Sequence, residues 1–168
     1  MENVIQKYFI LNKDFEILVF IRDESNKDED RSTLFLPRNT NNDGTDYSFH
    51  RKLMQILKED GINLDSPTFI RSQNSNSTRS SIRYVNNKPV LKKDKLSRRY
   101  YLTFGDFNSL TIAKIIELCD SYNILPYFLP IEELERITTK DIIYSYNNPL
   151  SVEGNIKDAI KILKIILK

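Results

Sequence analysis

Gln55, Lys58 and Glu59 stand at i, i+3 and i+4, the spacing that brings three side chains to one face of a helix. Magnesium-like cations take hard oxygen ligands, and two or three anions must converge to hold one. This face offers one carboxylate, one neutral amide and one ammonium, and the Lys58 charge opposes any cation placed beside Glu59. Glu59 is the candidate catalytic carboxylate and, with Asp46, the candidate metal ligand. Asp60 and Glu132 are further carboxylates that could complete a rearranged set. The expectation is nevertheless that no metal is held. His50, the only histidine, falls in the polar first turn of the same segment and reads as a surface residue rather than a base. Cys119, the only cysteine, sits among apolar residues and reads as a buried filler. One Cys and one His exclude Cys-His zinc chemistry.

A second chemistry lies in residues 71–99, which carry nine basic residues against Asp94 alone. That is +8 in a chain of net charge +2, so the remainder carries −6. Lys92, Lys93, Arg98 and Arg99 lie close to Tyr84, Tyr100 and Tyr101. Cations neutralise phosphates and tyrosine rings stack on bases, so a nucleotide or single-stranded nucleic acid is a suitable ligand. An acidic protein partner, or a merely solvated segment, fits the same composition. Arg38 is a further phosphate-binding candidate.

The elements that must position these groups follow from apolar spacing. Residues 7–12 and 16–22 are β-rich runs joined by a Lys13-Asp14 turn and predict a hairpin. Residues 33–36 predict a strand ended by Pro37, and residues 38–46 read as turn chemistry throughout. A helix is predicted over 47–60, capped by Asp46 or Ser48, with Phe49, Leu53, Ile56 and Leu57 inward and Gly61 just past its end. Residues 67–71 predict a strand, and 72–81, Ser/Asn-rich and without apolar residues, a mobile loop. Residues 82–85 and 90–91 flank Asn86-Asn87 as a small hairpin. A strand at 98–104 precedes a helix at 109–122 carrying Leu110, Ile112, Ala113, Ile116 and Cys119. A strand at 126–129 leads to a helix opened by Pro130, with Leu134 and Ile137 inward. The closing helix, 155–168, has Ile156, Ala159, Ile160, Leu163 and Leu167 on its apolar stripe and Lys157, Lys161, Lys164 and Lys168 on its wet face.

The totals bound the class. With 168 residues, 40% hydrophobic and 29% charged, the chain predicts one globular domain over residues 1–168. Its apolar runs are too short to span a bilayer, no signal peptide is legible at the N-terminus, and a lone cysteine suits a reducing compartment. A cytoplasmic protein without membrane partners is expected. Strands and helices that mix without strict alternation predict an α/β domain with a mixed sheet between helices.

The order of elements, with particular residues, resembles the Nudix hydrolase family. The residues that carry the likeness are 15–22, a strand ending in Arg22; Leu36-Pro37-Arg38-Asn39, where the family has Leu-Pro-Gly-Gly; Asp43-Gly44-Thr45-Asp46, near the family's loop Gly-Glu; 54–62, at the family's glutamate-rich helix end and Gly61; and Tyr127 to Leu134, an aromatic strand followed by a helix. The resemblance implies a Nudix-like α/β/α sandwich, with a basic loop insertion at 72–96 and the 109–122 helix as additions. It also implies that Gln55, Lys58 and Glu59 occupy the box positions where the family has glutamates. Met54, Arg38 and Asn39 depart from it as well, so the usual metal site is expected to be broken. Three functions follow: a Nudix-fold protein binding a nucleotide, nucleic acid or protein partner without efficient hydrolysis and without a cofactor; a divergent hydrolase of nucleoside diphosphate-linked substrates, needing Mg or Mn; or a protein-interaction module that binds no nucleotide.

Overall fold

The computed structural model describes residues 2–23, 32–39, 47–139, 143–145, 148–152 and 156–168, and for 2–3, 23, 32, 74–83, 91–96, 139, 143–145 and 148–152 only the backbone course. The chain begins with β1 (Glu2–Leu11) and β2 (Glu16–Asp23). In the turn between them the Asn12 Oδ1 accepts from the Asp14 and Glu16 amides at 3.0 and 2.9 Å. The strands meet at Leu11 and Ile17 and then splay. The following chain enters the gap: β3 (Ser32–Phe35) pairs with β2, β4 (Arg38–Asn39) pairs with β1, and the Pro37 carbonyl between them accepts from the Tyr8 amide at 2.9 Å. Residues 38–39, expected to be turn, are therefore a short strand, because the splayed edge of β1 needs a partner. Residues 40–46 lie outside the described part of the chain.

Helix α1 (Tyr47–Glu59) buries Phe49, His50, Leu53 and Leu57, with Ile56 half-buried. Ser48 lies inside the helix rather than capping it, and its hydroxyl meets the Tyr122 hydroxyl at 2.7 Å. The helix stops as its sequence predicts. Gly61 takes φ +83, its amide bonds the Lys58 carbonyl, and the Ile62 amide reaches back to Leu57. This is a Schellman closure, with Ile62 and Leu57 in one apolar cluster.

Two long strands come next, β5 (Thr68–Val85) and β6 (Lys88–Phe104), paired antiparallel around Asn86-Asn87. Both asparagines have positive φ, 52 and 62, as a tight hairpin turn requires. The small hairpin expected there is present, but residues 72–81 are strand and not loop. Those residues lie on an edge strand and include no apolar side chain, so the alternation that announces a strand is missing. The inner part of β6, Lys95 to Phe104, pairs parallel with β1.

Helix α2 (Ser109–Ser121) starts from Asn108, whose Oδ1 accepts from the Thr111 amide at 2.8 Å. It turns Thr111, Ile115 and Cys119 inward and leaves Leu110 and Ile116 exposed, a rotation from the predicted face. Strand β7 (Ile124–Pro130) pairs with β2, and Pro130 closes it rather than opening α3 (Ile131–Thr139). Two unpredicted strands, β8 (Ile143–Ser145) and β9 (Asn148–Val152), pair with each other, and β9 runs parallel to β3. Helix α4 (Lys157–Ile166) ends the described chain, buries Ala159, Ile160 and Leu163, and sends Lys164 to Glu135 of α3 at 2.9 Å. Lys164 is thus an inter-helix tether rather than only part of a wet face.

The sheet runs β5-β6-β1-β2-β3-β9-β8, with β4 on β1 and β7 on β2. Alternation splits its core. Tyr8, Ile10, Leu18 and Phe20 pack beneath α1 and α2, while Phe9, Leu11, Ile17 and Val19 pack beneath α3 and α4. Each fully buried side chain of this size stabilises the fold by about 1.5–3 kcal/mol. Among the described residues, no helix is long and apolar enough to cross a membrane.

Candidate functional site

On the α1 side of the sheet a cleft of about 400 Å³ opens where the helix ends, lined by Tyr8, Asn39, Met54, Lys58, Leu64 and Asp65 among others. A smaller recess of about 160 Å³ lies between Val4, Gln6, Asn39 and Arg99. Asn39 lines both, so the two adjoin. Each wall has a local cause: the Schellman closure sets the chain from Gly61 to Asp65 along one rim, and β4 delivers Asn39 onto β1 opposite Gln6.

Tyr8 is the aromatic residue of the cleft lining, and it begins an aromatic row along the sheet. Tyr8, Tyr101 and Phe69 sit opposite one another on β1, β6 and β5. The Tyr8 and Tyr101 rings stack at 5.8 Å, and Phe69 meets Tyr101 edge-on at 5.7 Å. Phe69 remains 53% exposed. The Tyr8 hydroxyl donates to Gln6 Oε1 at 3.2 Å, and burial raises its pKa, against which the Asn39 hydrogen bond works only in part. The phenol therefore stays protonated. Lys58, exposed, lines the cleft with one carboxylate, Asp65, and Arg99, also exposed, lines the adjoining recess. The cleft and the recess together present two cations and one carboxylate.

Gln55 and Glu59 do share a helix face, Gln55 Nε2 donating to Glu59 Oε1 at 3.1 Å, while Lys58 lines the cleft beside them. The other proposed carboxylates do not join Glu59. Asp60 accepts from Lys114 of α2 at 2.9 Å, and the bonds from Lys114 and Thr111 hold its carboxyl below the usual range. Glu132 belongs to α3, which packs on the opposite face of the sheet. Asp46 lies outside the described residues. Among those described, no three His, Cys, Asp or Glu side chains come together as a metal site would require. The donors among the described residues do not fit a divalent cation.

His50 is not a surface residue. It is 2% exposed, packed edge-on against Phe35 and Phe49, and its Nδ1 accepts from the Arg38 amide at 3.3 Å. Burial, then the nearby charges of Arg38, Lys7 and Arg22, bring its pKa down to about 2. It is a neutral acceptor that holds β4 to α1. The first-turn position is buried because Phe35 of β3 and the Arg38 backbone of β4 lie against that end of the helix. Arg38 itself is only 8% exposed, opposite Lys7, which removes it from the open phosphate candidates. Burial alone pushes the Cys119 thiol up to about 12, in keeping with an inert filler.

Of the basic candidates, Arg99 lines the recess that adjoins the cleft. Arg98 is half-buried opposite Ile5 and Gln73. Lys92 and Lys93 lie farther out on β6, opposite Ser81 and Ser80. Tyr8, Asn39 and Asp65 were not legible as site residues, since what brings β1, β4 and the chain after α1 together is contact between segments far apart in sequence.

No protein-family model matches the sequence, and no curated protein matches it either. Among solved structures the chain is similar to a MutT protein from Methanosarcina mazei Go1, with a TM-score of 0.51 and 12% identity over 99% of this chain and 96% of that one. It is also similar to a mutT/Nudix family protein from Listeria innocua, with a TM-score of 0.51 and 10% identity over 98% and 93% of the two chains. At these identities the likeness is one of fold, and the fold is Nudix-like. The expected sandwich on a mixed sheet is borne out.

Proposed function

We propose that this Nudix-like chain binds a phosphate-bearing ligand, a nucleotide by the chemistry of its cleft, with little or no hydrolysis. The observation that carries the reading is Lys58 on the cleft wall, an ammonium at a position where a metal-dependent hydrolase needs a carboxylate. A fixed cation there neutralises phosphate directly and repels a divalent ion. Arg99 supplies a second cation, and the Tyr101–Phe69 surface supplies a face for a base, worth about 1–3 kcal/mol per stacked base.

The test is a calorimetric panel of nucleoside mono-, di- and triphosphates with and without Mn²⁺, run beside a turnover assay on nucleoside diphosphate sugars, dinucleoside polyphosphates and capped RNA. Binding that does not need Mn²⁺, with turnover no faster than in Glu59→Gln, is the expected result. Robust Mn²⁺-dependent turnover that vanishes in Glu59→Gln would instead establish a divergent hydrolase. Absence of any nucleotide binding would leave the protein-interaction reading.

A further inference from the structure

The β5–β6 hairpin outruns the sheet that carries it. Pairing of β6 with β1 ends at Lys95 opposite Glu2, yet the hairpin continues to its turn at Asn86-Asn87. At the strand rise of about 3.3 Å per residue, the part beyond β1 is a two-stranded ribbon about 20 Å long. A ribbon of two strands is marginal alone in water, so an arm of this length calls for a use.

Its composition is specific. Between Thr78 and Lys95 stand Arg79, Arg83, Lys88, Lys92, Lys93 and Lys95, against Asp94. Asp94 sits opposite Arg79 in the ladder, so the outer positions carry cations only. The rest of the ribbon is rich in Ser, Thr and Asn. The tip is apolar and open: Tyr84 is 74% exposed, and Val85 and Val90 are exposed beside it.

We infer that this arm is a double-stranded DNA-binding ribbon that lies in the major groove, its basic composition suited to the flanking phosphates and its exposed tip to base edges. The major groove admits a two-stranded ribbon, and thymine methyls offer apolar contact to side chains such as valine. Single strands are held by repeated aromatic stacking along a channel, and from Thr78 to Lys95 the only aromatic residue is Tyr84. The narrow, deep major groove of an RNA duplex does not admit the ribbon. This assignment stands apart from the cleft and does not depend on what the cleft binds.

Fluorescence anisotropy of the full chain tests it, using a labelled DNA duplex of about 20 base pairs, the same single strand, and a salt series from about 50 to 200 mM. The duplex is expected to bind at least about ten-fold more tightly than the single strand. The logarithm of affinity should fall with the logarithm of salt at a slope near about −4, as neutralising four or five phosphates requires. Lys92→Glu with Lys93→Glu should weaken duplex binding at least about ten-fold and flatten that slope. Tyr84→Ser with Val90→Ser, which leaves every cation in place, should weaken binding without changing the slope, and circular dichroism confirms that both variants are folded. Equal or tighter binding of the single strand, preference for phosphatidylserine vesicles over duplex, no binding at the lowest salt, or an unchanged double charge reversal would each overturn the assignment.

Discussion

The Arg38 amide donates to Nδ1 of His50 at 3.3 Å, so the imidazole keeps its remaining proton on Nε2 and sits neutral among three cations. Protonation would remove the acceptor and add a fourth positive charge to a buried site. The folded-state pKa, about 2, lies below the unfolded value, so the unfolded chain binds the extra proton. The contribution is fully present above about pH 6.5 and is lost as pH falls toward the folded value. Urea unfolding should therefore show stability falling by roughly 2 kcal/mol between about pH 6.5 and 5, before carboxylates titrate. His50→Asn keeps an acceptor near Nδ1 and should flatten that slope. A wild-type slope matched by His50→Asn would show that His50 is not its source.

Charge at the end of α1 should be exchangeable for metal. Gln55→Glu with Lys58→Glu changes the local charge by −3 beside a Glu59 that Gln55 already contacts. Calorimetry should show Mn²⁺ affinity raised at least about ten-fold over wild type, and nucleotide affinity without metal reduced. Unchanged metal affinity would mean that the three side chains do not converge on one ion.

The aromatic row that starts at Tyr8 has its own signature. Tyr101→Ala, which removes the ring stacked on Tyr8 and met by Phe69, should weaken nucleotide binding by about 1–3 kcal/mol. Tyr101→Phe, which keeps the ring, should bind as the wild type does. If titration finds Tyr101→Ala indistinguishable from wild type, the base does not lie on this surface.

Gly61 is tested by backbone geometry alone. A Cβ there would meet nothing within 4 Å, yet φ is +83, so Gly61→Ala is strained by conformation without a clash. Thermal unfolding should show a loss of about 1 kcal/mol, a Tm lowered by about 3 °C, and a smaller loss for Gly61→Asn, which tolerates positive φ better. A neutral Gly61→Ala would mean that the closure relaxes to negative φ.

What could be read from the residues alone divides along physical lines. Local signals were legible: the apolar spacing of Phe49, Leu53 and Leu57, the glycine that ends their helix, and the Asn86-Asn87 turn. Features set by distant partners were not. Asn39 joins a strand only because β1 and β2 diverge, His50 is buried by residues of another seam, and β8 and β9 are too short to show alternation. The three box positions were placed on one helix face from spacing. The pocket that Lys58 lines was not, because its other walls come from Tyr8 and Asn39, which no local pattern connects to the helix.

The parallel seam between β1 and β6 also sets a timetable for synthesis. Every pairing from Glu2–Lys95 to Leu11–Phe104 joins residues 93 positions apart, so the first strand emerges from the ribosome long before its neighbour exists. Until then only β2 and the short β4 can hold it, and the ladder that organises both layers closes late. Such remote contacts carry a large chain-closure cost and slow folding. An apolar run such as Phe9-Ile10-Leu11, buried on both faces when folding is complete, stays open to chaperones or to aggregation during that interval.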